Sequence, residues 1–184
     1  MPNLPYTISG ICYDVNSTDV TPVVMTSGTC MIFNTTTHTT TTGNIEIDGS
    51  FAVDISALAS YSNADKLQVV LFNSDKTKST EFRHTVDTAE EGDDVGSVYM
   101  HWTKPILGEA RLHAVVISNK NDSNEYTVDF YDRYNDAKIL SCDVNVNSSF
   151  SPNLSFQGLM FKGGICVIRQ SDVANEVDVV MVVK

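Results

Sequence analysis

Apolar and polar residues alternate with a period of two along most of this chain, the repeat of a half-buried strand. In Tyr6–Tyr13, the residues Tyr6, Ile8, Gly10 and Cys12 fall on one face. Thr7, Ser9, Ile11 and Tyr13 fall on the other. The same pattern predicts strands over Thr29–Asn34, Thr37–Thr42, Ser50–Asp54, Lys66–Asn73, Ser79–Thr85 and Ser97–Trp102. A second series covers Ala110–Ser118, Glu125–Asp132, Lys138–Val146, Leu154–Gln157, Gly164–Arg169 and Glu176–Val183. In the first series only Ile55–Tyr61 reads as a helical turn.

Turn residues punctuate the strands. Thr42-Gly43-Asn44 and Asp48-Gly49 read as turns around the threonine tract 35–42. Val86–Gly96 reads as an acidic loop. In the second series the turns are Asn119–Asn124, Arg133–Asp136, Asn147–Ser149 and Gln170–Asp172. Their Asn, Asp and Ser side chains bond to nearby backbone. Many short strands with frequent turns and no long helical period predict an all-β fold of sandwich type. Pro105 and Gly108 interrupt the pattern, so 104–108 reads as a linker. Two consecutive β-sandwich domains are expected, 1–103 and 109–184.

Composition narrows the function. Hydrophobic residues make up 42% of 184 residues, enough for packed cores, and their longest dense run, Leu67–Phe72, has only strand length. No stretch approaches the ~18 apolar residues of a membrane-spanning helix. A net charge of −11 without a basic patch argues against nucleic acid as a partner. Met1–Tyr6 lacks the charged and apolar regions of a signal peptide, so the chain is expected to be cytoplasmic in origin or already processed, and the starting Met favours the first.

Candidate chemistry is sparse. Cys12, Cys30, Cys142 and Cys166 lie among apolar strand residues, without metal-ligand spacing. They read as small buried hydrophobes, with Cys12–Cys30 and Cys142–Cys166 disulfides as the alternative. His38, His84, His101 and His113 share no ligand spacing. Glu90-Glu91-Gly92-Asp93-Asp94 lacks the ordered ligands of an EF-hand and reads as a solvated loop. No G-x-S-x-G elbow is present. No catalytic residue, metal ligand or cofactor is assigned. Tyr131 and Tyr134 are the interface candidates, because tyrosine is enriched at contacts. Trp102, the single tryptophan, is placed at the domain junction. The five Asn-x-Ser/Thr triplets, at Asn16, Asn34, Asn121, Asn147 and Asn153, follow from the abundance of these residues.

Tyr6–Gly10, Gly28–Asn34, the threonine tract, Asp48–Phe51, Asp54–Leu58 and Asp65–Val69 carry a resemblance. Across about 95 residues, the first half resembles the immunoglobulin-like, prealbumin-like family of carboxypeptidase-regulatory-type and bacterial surface repeats. Tyr126–Asp132, Ile139–Val146, Leu159–Val167 and the closing valine-rich strand carry another. The second half is similar to small β-sandwich domains in structural proteins of tailed viruses, including capsid-decorating and fibre-type proteins.

The resemblance implies an Ig-like first domain and a jelly-roll-like second one. It implies a non-enzymatic protein at the virion surface, assembled in the host cytoplasm. Its partners would be the major capsid protein, copies of itself, or both, with neither nucleic acid nor membrane. The alternative is a carbohydrate-binding or adhesive module that meets a host-surface glycan. No functional residues carry over from either family.

Overall fold

A computed structural model describes residues 5–14, 22–58, 60–100, 105–155, 157–169 and 177–184. In the first half the strands are β1 (Thr7–Asp14), β2 (Val23–Val24), β3 (Gly28–Asn34) and β4 (Thr39–Ile45). β5 (Ser50–Asp54), β6 (Lys66–Asn73), β7 (Ser79–Thr85) and β8 (Gly92–Met100) complete it. The second half holds β9 (Ala110–Asn119), β10 (Tyr126–Asp132), β11 (Lys138–Val144) and β12 (Ser148–Phe150). It ends with β13 (Leu159–Phe161), β14 (Ile165–Arg169) and β15 (Val177–Val183). The protein is all-β and sandwich-like, with curled sheets. The helical turn expected over Ile55–Tyr61 contracts to one 3₁₀ turn, Ile55–Ala57, capped by the Asp54 side chain.

The first sheet runs β2-β1-β5-β4-β3-β6-β7, with β8 added in parallel to β1. β4 and β5 share a single residue pair, Ile45↔Phe51. The sheet turns a corner there and folds back on itself. Between its layers, Ile8, Cys12, Phe51 and Val53 meet Cys30, Ile32, Leu67, Val69 and Leu71. Each such side chain contributes roughly 1.5–3 kcal/mol by leaving water. The face expected from the alternation in β1 is the buried one: Tyr6, Ile8, Gly10 and Cys12 are all covered.

The second core lies between a three-stranded sheet, β11-β10-β14, and a four-stranded one built around β9. In the latter, β12 and β13 pair with one edge of β9 and β15 pairs with the other. Leu112, Val115, Ile117 and Val177 pack against Val128, Phe130, Val144, Ile165 and Val167.

Several local expectations are corrected. Thr42-Gly43-Asn44 is strand, not turn: it continues β4 against Met31, Cys30 and Thr29 of β3. Gly43 faces inward, where a Cβ would lie 2.7 Å from Val53 Cγ2, so glycine serves packing there. The turn instead lies at 35–38. The Asn34 carboxamide accepts from the Thr36 and Thr37 amides, and His38 takes a positive φ of 57°. Asn34 is fully buried, so its triplet is structural.

The acidic stretch is likewise not all loop. Gly92–Gly96 belongs to β8, where Asp93 and Asp94 pair with Ile8 and Ser9. Ser148–Phe150, read as mostly turn, is strand β12. Leu154, Ser155 and Gln157 are not strand, and pairing resumes at Leu159. The turn expected at Gln170–Asp172 lies outside the described residues, as does Trp102.

All four cysteines are buried free thiols. Cys142 and Cys166 cannot be bridged. Cys142 points into the second core, while Cys166, two strands across β10, is buried outside that core.

Candidate functional site

β6 is buried on both faces. Its inner row is Leu67, Val69 and Leu71, and its outer row is Gln68, Val70 and Phe72. A strand covered on both sides needs a continuous apolar run. The outer row, with Tyr131 and Cys166, belongs to neither core. These residues line a seam where β7 of the first half meets β14 and the β10–β11 turn of the second.

The seam is held by charge. Arg133 follows β10 in a turn fixed by Asp132, whose carboxylate accepts from the Tyr134, Lys162 and Gly163 amides. Asp136 closes that turn at a φ of 55°. Arg133 Nη2 donates to Glu81 Oε1 at 2.5 Å and to the Ile165 carbonyl at 3.1 Å. The other Glu81 oxygen accepts from the Val167 amide at 2.6 Å. The side chains of Arg133 and Glu81 are only 3% and 5% exposed.

Beside this pair, Asp136 accepts from Gln68 Nε2 at 2.8 Å and from Arg83 Nε at 3.0 Å. The Asp136 bond holds the Arg83 guanidinium above its ordinary pKa. Burial, reinforced by Glu81, pushes the Cys166 thiol well up, so it stays protonated.

Two of the sequence candidates, Tyr131 and Tyr134, lie in this region. Tyr131 is buried beneath Arg83, whose guanidinium carbon lies 4.2 Å from the ring centroid. Tyr134 is exposed and stacks on His38 at 4.5 Å with an interplanar angle of 17°. Both tyrosines therefore contact the first half of their own chain. Arg133, Glu81, Gln68 and Asp136 escaped the sequence reading. Their signal was Gln68 inside the run Leu67–Phe72, whose two apolar faces require a covering layer on each side.

Of the seam's charges, Arg133 and Glu81 are paired and buried, while Arg83, paired with Asp136, stays partly open to solvent. Among the described residues, His38 and His84 lie in different surroundings. His38 lies on Tyr134, while His84 accepts from or donates to the Tyr6 hydroxyl at 2.8 Å and sits 3.5 Å from Asp93. Among the described residues, no group of three or more His, Cys, Asp or Glu side chains converges on a metal position.

Among the described residues, two surface features bear on function. One is a shallow cleft of about 400 Å³ on the outer face of β1 and β5, lined by Ser9, Ile11, Asn44, Glu46, Ser50 and Asp94. The other is the outward face of β9 and β15. Val180 and Val182 are 64% and 53% exposed there, and Val116 is 43% exposed. Val116 lies directly opposite Val180, and Ala114 opposite Val182, so these side chains form one patch.

No family model matches the chain, nor does a curated protein or a solved structure. Function is therefore argued from these surfaces.

Proposed function

We propose that the protein is a non-enzymatic structural component of a virus particle, decorating or stabilising the capsid of a tailed virus. The observation that carries this reading is the uncovered valine patch on β9 and β15. Contiguous apolar surface of this kind marks a place of association. The second half, jelly-roll-like, is the attaching module. The first half, Ig-like, projects its threonine and asparagine face, with Thr40, Thr42 and Asn44 exposed. The buried Arg133–Glu81 contact supports this division, because it couples the displayed half to the attached one. The test is the protein content of washed particles. Many stoichiometric copies are expected; absence from the particles overturns the reading.

The cleft lined by Asn44, Ser50 and Asp94 favours a second reading, a carbohydrate-binding module. It requires saturable glycan binding that is lost on Asn44→Ala with Asp94→Ala.

A further inference from the structure

The outward row of β15 reads Asp178, Val180, Val182, and Lys184 follows immediately after the strand. On β9 the facing residues are Ser118, Val116 and Ala114, with Arg111 opposite Lys184 through two backbone bonds of 2.8 and 3.1 Å. Arg111 and Lys184 therefore lie at one end of the ribbon, with Glu109 just before β9, and Asp178 lies at the other, with Lys120 just after β9. Valines and an alanine lie between. Asp178 is the single acidic residue of the two strands, in a chain of net charge −11.

From this arrangement we infer that the occupant of the valine face is a second copy of the same chain, related by a two-fold axis lying across the strands. The inference rests on the assembly reading above and names its partner. Such an axis reverses the row. Val180 then lies over Val182 of the copy, and Val116 lies over Ala114, a large side chain against a small one. Asp178 faces the cationic end of the copy, twice per dimer. A C2 interface must be self-complementary in this way. The capsid lattice, or any other partner, would have to supply the reversed pattern separately. Asp178 already meets Lys120 at 2.6 Å, but both side chains are exposed and the pair holds little. It can turn to the copy without leaving a buried charge behind.

Sedimentation equilibrium of the purified full chain tests this. A concentration-dependent mass of two chains is expected. Val180→Asp should give the single-chain mass at every concentration, with an unchanged circular dichroism spectrum. Lys184→Glu should weaken dimerisation roughly tenfold or more, because like charges then oppose each other twice. Adding Asp178→Lys to Lys184→Glu should restore it, which a merely unfolded variant does not do. A wild-type chain that stays single, yet is retained on particles through a Val180→Asp-sensitive contact, overturns the second-copy assignment and leaves the assembly reading standing. A dimer indifferent to Val180→Asp and to both charge variants also overturns the assignment.

Discussion

Arg133, in the turn after β10, and Glu81, in the middle of β7, form an ion pair of 2.5 Å across the seam, 52 residues apart in sequence. A buried pair of this kind costs desolvation on both sides, so its net stabilisation is small; removing one partner alone strands a buried charge. Arg133→Met or Glu81→Leu alone should therefore destabilise the protein by about 3–5 kcal/mol. The double variant should cost clearly less than the sum, because neither charge then remains. Urea unfolding of the four chains measures this coupling. Strict additivity would mean that the pair does not hold the seam.

Gly43 interrupts a threonine-rich strand because Val53 occupies the space a side chain would need. Gly43→Thr, which extends the tract and raises strand propensity, should nevertheless destabilise by about 1–3 kcal/mol through overpacking. Val53→Ala in the same chain should recover part of that loss, as read by thermal unfolding. A stabilised Gly43→Thr chain would show that Val53 leaves room for the side chain and that Gly43 is not a packing glycine.

His84 gives the stability a pH dependence in a defined window. Burial holds its pKa below the ordinary 6.5, and Asp93 opposes that only in part. The folded state thus favours neutral imidazole, while the unfolded chain binds a proton near 6.5. The contribution of His84 is complete above 6.5 and is lost as the pH falls through the lower folded value. Asp48, Asp54 and Asp75, each held below 3.8 chiefly by a serine or threonine hydroxyl, lose theirs only at lower pH, below that value. His84→Gln should flatten the stability profile just below pH 6.5 and leave the acidic limb unchanged. An unaltered slope would place the effect elsewhere.

Burial pushes Cys12 and Cys30 up to about 12 and raises Cys142 and Cys166 as well. A thiol reacts as thiolate, so the native protein should resist a thiol-disulfide reagent at pH 8. In denaturant without reductant, all four thiols should titrate. Two would reveal the Cys12–Cys30 disulfide that the sequence left open.

Much of the fold is legible, from period-two alternation where one face is wet and from a continuous apolar run where neither is. The strand over Tyr6–Tyr13 and those at Lys66–Asn73 and Ser79–Thr85 emerge within a residue of their ends. Reading fails where the partner is distant or the side chains mislead. Gly92–Asp94 looks like solvated loop because its charges sit on an exposed strand, and its parallel partner β1 lies some eighty residues earlier. Gly43 looks like a turn because a packing glycine and a turning glycine are the same letter. The seam is hidden for a related reason: Arg133 and Asp136 sit in a turn rich in polar residues, which alone gives no cause to expect burial. The valine patch is written in the sequence as Val179-Val180-Met181-Val182-Val183, but only the pairing with β9 shows which valines remain uncovered.

The central claim is that this chain works by association through β9 and β15. An electron cryo-microscopy map of the native assembly tests it most directly. Density covering Val116, Val180 and Val182, with the threonine face of β4 pointing outward, is the expected result. A map in which that patch faces solvent while the copies are held through the β1–β5 cleft or Tyr134 would contradict it.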